Sequence, residues 1–201
     1  MIARIFGAIV ILCYCLPVLG GARTSQEYQG ASVSPDKKIS IHWICSSLDQ
    51  CKVYATDGRR KYWITRVPLR EPIVTWHSND FSEIFFGCGT ACGASFFFHN
   101  NVEVVGPFPL VAAVNTEEHL IASIAGQKII IYKLFPKKKI IKEIVKPEFL
   151  LTSDISFLIH DIRFINSSEI FLSYKKNATE EIAKEIIRID PLVTMKPQNS
   201  P

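Results

Sequence analysis

The sequence lacks the short motifs that mark common catalytic and nucleotide-binding sites. It has no Gly-x-Ser-x-Gly nucleophile elbow, no phosphate-binding loop and no dinucleotide-binding fingerprint. Its five histidines form no His-x-His or His-x-x-x-His pair; they are His42, His77, His99, His119 and His160. We therefore expect no cofactor, no metal ion and no linear catalytic constellation, and an enzyme would need a site assembled from distant loops.

Long apolar runs are absent beyond the N-terminal region. Residues 1–22 contain one basic residue, Arg4, then an apolar run over residues 5–19, and they end in small residues up to Ala22. These are the parts of a signal peptide cleaved after Ala22. The apolar run is shorter than the ~20 residues that a membrane-spanning helix needs, and an uncleaved N-terminal anchor is the alternative. We expect an exported protein, periplasmic or extracellular, that is not an integral membrane protein after cleavage.

A strong charge of either sign is also missing. The chain has 23 Lys and Arg against 19 Asp and Glu, for a net charge of +4. Because proteins that bind nucleic acids usually present a clustered basic face, we expect no nucleic-acid partner. The densest charge run, Lys137-Lys138-Lys139, is interpreted as a solvated turn between two apolar strands, with contact to an anionic surface as the alternative.

Cysteine is scarce, and four of the six cysteines lie beyond residue 22: Cys45, Cys51, Cys88 and Cys92. An even number in an exported protein predicts two disulfides. We favour the local pairs Cys45–Cys51 and Cys88–Cys92, because each pair brackets a short turn-like insert between strand-like runs; the count alone allows other pairings. Five residues lie between Cys45 and Cys51, and three lie between Cys88 and Cys92. These spacings fit neither paired zinc ligands nor a Cys-x-x-Cys redox site.

The most frequent pattern in the sequence is the alternation of apolar and polar residues. In the first such run, apolar residues at 39, 41 and 43 alternate with Ser40 and His42, which is the period of a half-buried strand. Turn signals such as Asp57-Gly58 separate the runs. Residues 182–189 fit a strand or a short helix, and we prefer a strand because the preceding segments pair as a meander.

Sets of strand-like runs begin near Ile39, Ser82, His119 and Ser168, at steps of 43, 37 and 49 residues. The sequence therefore predicts an all-β single domain of antiparallel meanders. A β-sandwich, a barrel and four blade-like propeller units all fit this spacing.

The expected domain organisation follows composition. Residues 1–22 are the signal peptide, and residues 23–36 are polar and without periodicity, which predicts a flexible leader. Residues 37–190 form the β domain. Residues 191–201 are rich in proline and are predicted to be a disordered tail.

Residues 81–101 form the most distinctive stretch, in which two phenylalanine-rich runs flank a tip of glycines and cysteines. We interpret it as a hairpin with core-forming strands and a rigid tip. The candidate contact surface consists of Gly89, Thr90 and Ala91 at that tip, together with Trp76 and Phe81 if these aromatic residues are exposed.

The functional hypothesis is an exported, non-catalytic, β-rich binding protein whose partner is another protein or an envelope component. An inhibitor, an immunity-type partner and an envelope accessory factor all fit. The alternative is a secreted or periplasmic hydrolase or lyase whose site is assembled from distant loops.

Overall fold

The protein is described here from a computed structural model, which covers residues 27–47, 50–89, 92–100, 104–176 and 181–189. The strands of the first sheet are β1 (Tyr28–Val33), β2 (Ser40–Cys45), β3 (Cys51–Thr56) and β4 (Lys61–Leu69). Those of the second sheet are β5 (Ile73–Trp76), β6 (Phe81–Gly89), β7 (Cys92–His99) and β8 (Val105–Phe108). Those of the third sheet are β9 (Val111–Asn115), β10 (Leu120–Ala125), β11 (Lys128–Lys133) and β12 (Lys139–Ile144).

The fourth sheet has three strands, β13 (Ile159–Asn166), β14 (Glu169–Lys175) and β15 (Ile182–Arg188). Two short 3-10 helices, Pro147–Leu151 and Ile155–Phe157, connect it to the third sheet. In every sheet the strands follow one another in sequence order and pair antiparallel. The predicted all-β fold of antiparallel meanders is therefore confirmed, and so is the strand predicted over residues 182–189.

Each sheet packs on the next through a separate buried cluster. Ile41 of the first sheet and Ile84 of the second belong to one cluster, and both are fully buried. A second cluster joins the second and third sheets, and its buried side chains are Phe81, Phe97, Phe108, Ile121, Ile130, Tyr132, Leu134 and Phe135. A third cluster joins the third and fourth sheets and includes Ile129, Ile131, Phe149, Ile170 and Leu172.

The two middle sheets are apolar on both faces. Successive side chains of a strand point to opposite faces, so Phe97 contributes to the cluster with the third sheet and Phe98 to the cluster with the first. Both side chains are at most 1% exposed. This double burial explains why the stretch over residues 81–101 is so rich in phenylalanine.

The prediction of a flexible leader over residues 23–36 is wrong in part. Tyr28–Val33 forms β1, and all six of its residues pair with β2, from Tyr28 opposite Cys45 to Val33 opposite Ser40. The apolar periodicity is missing because β1 is an edge strand whose side chains are exposed or half-buried. Its hydrogen bonds to β2 and the contact of Gly30 with the Trp43 indole hold it in place.

One of the two predicted disulfides is confirmed. Cys45 and Cys51 are bonded, with their Cα atoms 4.0 Å apart, and close the hairpin between β2 and β3. The side chains of Cys88 and Cys92 lie outside the described residues, so their bond remains a prediction. Residues 1–26 and 190–201, which contain the predicted signal peptide and tail, also lie outside the described part of the chain.

Gly106 in β8 is expected to be intolerant of a side chain. Its φ is +151°, and an added Cβ would lie 3.0 Å from the Cα of Phe96 on the neighbouring strand. Gly126 also has a positive φ, +61°, but its Cβ would meet nothing within 4 Å. Backbone strain alone should cost Gly126→Ala about 1 kcal/mol, whereas strain and overpacking together should cost Gly106→Ala about 2–4 kcal/mol.

Urea unfolding of both variants and the wild type measures this difference. Gly126→Ala is the matched control, because it adds the same methyl group at a left-handed residue without a neighbour. Equal losses of unfolding free energy in the two variants would show that the contact with Phe96 does not limit the position.

Candidate functional site

The residues of the predicted contact surface lie in different environments, and its two aromatic residues differ in burial. Trp76 is half-buried, and its Nε1 donates a hydrogen bond to Ser32 Oγ at 3.0 Å, which ties the second sheet to the first. Phe81 is fully buried and contributes to the core between the second and third sheets. Gly89 ends β6, and Thr90 and Ala91 lie outside the described residues.

Three histidines that are far apart in the sequence surround the buried ring of Phe81. The ring centroids of His77, His99 and His119 lie 5.3, 6.5 and 5.0 Å from that of Phe81. The turn after β5 carries His77, the end of β7 carries His99, and the turn between β9 and β10 carries His119. No linear motif signals this group, because it forms only when the second and third sheets pack. We call these three histidines the histidine cluster.

A carboxylate lies beside the first of these histidines. Glu83 on β6 accepts a hydrogen bond from Ser95 Oγ at 2.5 Å, and its other oxygen lies 3.5 Å from His77 Nε2. The side chains of Glu83 and His77 are both 18% exposed. Since Ser95 is buried on β7, the carboxylate is fixed by the strand pairing of β6 with β7.

The second carboxylate repeats this arrangement at the turn between β5 and β6. Asp80 accepts a hydrogen bond from Ser78 Oγ at 2.6 Å, and its other oxygen lies 3.4 Å from His99 Nε2. The backbone carbonyl of Asp80 also accepts from the N–H of Asn100, which joins the turn to the end of β7.

The order of these groups differs from that of a catalytic triad. In a triad the imidazole lies between the hydroxyl and the carboxylate, so that it can remove the hydroxyl proton. Here the carboxylates of Asp80 and Glu83 lie between hydroxyl and imidazole, and the hydroxyls of Ser78 and Ser95 donate to them. Neither serine is therefore activated as a nucleophile by these contacts.

His99 and His119 make the closest contact within the histidine cluster. Their ring centroids are 4.7 Å apart and the rings meet edge to face. Burial lowers the pKa of His119, and the nearby His99 and Lys133 lower it further, while Asp80 and Glu118 act in the opposite direction. The neutral imidazole is the form that this packing stabilises.

The described part of the chain has neither a metal-ligand cluster nor a membrane-spanning helix. It contains no group of three or more His, Cys, Asp or Glu side chains arranged to hold a metal ion. No helix in that part is long and apolar enough to cross a membrane.

The exposed side of the first sheet carries a second ordered group, which we call the aromatic row: His42, Tyr54 and Trp63. These residues are direct neighbours across β2, β3 and β4. The His42 and Tyr54 ring centroids are 5.2 Å apart, and those of Tyr54 and Trp63 are 5.5 Å apart. Lys61 places its Nζ 3.5 Å from the centroid of the Tyr54 ring.

The sequence contained a partial signal for the aromatic row. The alternation in β2 already separates His42 from the buried Ile41, so an outward histidine was predictable. The register was not, because β4 pairs with β3 through two irregularities before Tyr54 meets Trp63. Trp63 is 36% exposed and ends the row.

Two sequence comparisons add no relative to these observations. No protein-family model matches the chain, and a search of curated proteins found no match. The assignment of function therefore depends on the chemistry of the histidine cluster and of the aromatic row.

His119 should make the stability of the protein depend on pH. An unfolded histidine binds its proton near pH 6.5, and folding lowers the pKa of His119. The unfolded state then holds more protons between the two pKa values, so the stability present above the unfolded pKa is lost as pH falls through the folded pKa. Replacing His119 with Asn removes this proton site. Asn also tolerates the backbone φ of +52° at this position.

We expect His119→Asn to become more stable relative to the wild type as the pH is lowered from about 7.5 to about 5. Urea midpoints measured across this range test the expectation. His160→Asn is the control, because His160 is an exposed histidine on β13. A stability difference between His119→Asn and wild type that does not change with pH would contradict it.

Proposed function

We propose that this chain is an exported, non-catalytic binding protein built as a propeller-like stack of four sheets. Four meanders follow one another along the chain, and each packs on the next through its own buried cluster. Propeller blades are meanders of this kind that repeat every ~40–50 residues. This serial packing supports a propeller-like arrangement over a sandwich or a barrel.

Export is supported by two independent features of the chain. Residues 1–22 have the composition of a signal peptide. The Cys45–Cys51 disulfide belongs to an oxidising compartment such as the periplasm or the extracellular space. The partner would then be a protein or another component of the envelope, with the chain acting as an inhibitor, an immunity-type partner or an accessory factor.

The observation that carries the binding function is the aromatic row on the exposed side of the first sheet. Trp, Tyr and Arg are the residue types that dominate binding energy at protein interfaces. Tyr54 and Trp63 are held in place by cross-strand contacts before any partner arrives, which lowers the entropic cost of binding. The stacked sheets beneath them provide a stiff support.

Site-specific photocross-linking in the cells that produce the protein tests this function. Benzoylphenylalanine in place of Trp63 should give a discrete cross-linked partner band, identifiable by mass spectrometry. The same substitution at Ile186, which is 61% exposed on β15 of the fourth sheet, is the control and should give none. Absence of a cross-link at both positions would contradict the binding function.

A hydrolase or lyase is the second candidate function, and the histidine cluster favours it. His77, His99 and His119 come from three different segments and lie beside Asp80 and Glu83, which is a set that general acid–base catalysis uses. The serine hydroxyls are engaged by the carboxylates, so acyl transfer through a serine is not favoured.

Turnover of chromogenic ester, amide, glycoside and phosphate substrates separates the two candidates. We expect no turnover above that of a heat-denatured sample. An activity that His99→Gln abolishes and Trp63→Ala retains would replace the binding function with an enzymatic one.

A further inference from the structure

We infer that the exposed side of the first sheet binds an acidic surface of a partner protein, an inference that rests on the binding function proposed above. The side in question is opposite to the buried cluster that this sheet shares with the second sheet. We call it the outer face. Its members follow from strand register and from the alternation of side chains: Gln29, Ala31, Val33, Ser40, His42, Ile44, Lys52, Tyr54, Thr56, Lys61 and Trp63.

The outer face contains two lysines and no carboxylate. Lys52 and Lys61 are both exposed, and neither forms an ion pair within the described residues. The outward side of the fourth sheet differs, since there Arg163 lies 3.6 Å from the carboxylate of Asp161. The two lysines of the outer face are therefore not paired with a carboxylate from the same face.

Aromatic rings hold the ammonium group of Lys61. Its Nζ lies 3.5 Å from the Tyr54 ring centroid and 4.8 Å from that of Trp63. Such cation–π contacts position a cation without neutralising its charge. Lys61 is thus oriented on the sheet while its charge remains available to an approaching carboxylate.

The turn between β3 and β4 extends this charge. Asp57 accepts hydrogen bonds from the backbone N–H groups of Arg59 at 2.8 Å and Arg60 at 2.7 Å. Its carboxylate is therefore engaged by the backbone of its own turn. Both arginines are exposed and form no ion pair in the described part of the chain. The Asp57 carboxylate interacts electrostatically with Arg60, but Arg59, Arg60 and the adjoining Lys61 outnumber it, so this edge of the outer face is net positive.

Two features favour a protein over a nucleic acid as the partner. Sites for single-stranded nucleic acid offer open ring faces on which bases stack. Here the Tyr54 ring stacks on His42, with an interplanar angle of 12°, and is also covered by Lys61. Beside the cations the outer face offers two separate apolar side chains, Trp63 on β4 and Val33 on β1, which are 36% and 51% exposed. A protein surface that presents carboxylates together with apolar side chains matches this combination.

Binding of defined polyanions tests the inference. The probes are a fluorescent random copolymer of glutamate and tyrosine, heparin and a single-stranded oligonucleotide of about 20 nucleotides. We expect the copolymer to bind most tightly, with an affinity that falls as salt is raised from about 50 to about 300 mM. Lys61→Glu and the double variant Arg59→Glu/Arg60→Glu should each weaken binding of the copolymer at least about tenfold.

Lys137→Glu is the matched control, because it makes the same charge change at an exposed lysine in the turn between β11 and β12. Its affinity for the copolymer should stay within about twofold of the wild type. An equal loss in Lys137→Glu would show an effect of net charge and overturn the inference. Tighter binding of heparin or of the oligonucleotide would overturn it as well, and so would unchanged binding in both charge-reversal variants.

Cross-linking distinguishes failure of this inference from failure of the proposed function. If benzoylphenylalanine at position 63 captures a partner and Lys61→Glu does not reduce the yield, the protein binds a partner without using this charge. If benzoylphenylalanine gives no cross-link at either position 63 or position 186 in the protein without a charge reversal, the binding function itself fails.

Discussion

Both faces of the two middle sheets are buried, and this double burial holds the four sheets together. Phe97 and Phe98 are adjacent on β7, yet one packs toward the third sheet and the other toward the first. Burying such a side chain contributes about 1.5–3 kcal/mol, so the hairpin of β6 and β7 stabilises two sheet interfaces at once. Loss of this hairpin would separate the stack at its centre.

The same packing decides where polar groups can lie. His77, His99 and His119 surround Phe81 at the margin of the interface between the second and third sheets, where the carboxylates of Glu83 and Asp80 lie 3.5 Å from His77 and 3.4 Å from His99. The outward side of the first sheet, by contrast, belongs to none of the three buried clusters. There the aromatic rings of Tyr54 and Trp63 contact Lys61, and the result is an ordered and positively charged face.

Sequence reasoning succeeded where the signal is local. Alternation and turn residues predicted the meanders, and the short insert between Cys45 and Cys51 predicted their disulfide. It failed at β1, because an edge strand with exposed side chains carries no apolar period. It also could not predict that Phe81 is buried. The local sequence around a phenylalanine at the start of a strand does not show whether its ring faces solvent or a neighbouring sheet.

The fold class, one covalent cross-link and the absence of linear catalytic motifs can be read from the sequence, because each depends on residues that are close along the chain. That three distant histidines surround Phe81, and that His42, Tyr54 and Trp63 form one row, is visible only in the folded chain. These groups depend on strand register and on the order in which sheets pack. Both are set by contacts between distant segments, which no local pattern in the sequence encodes.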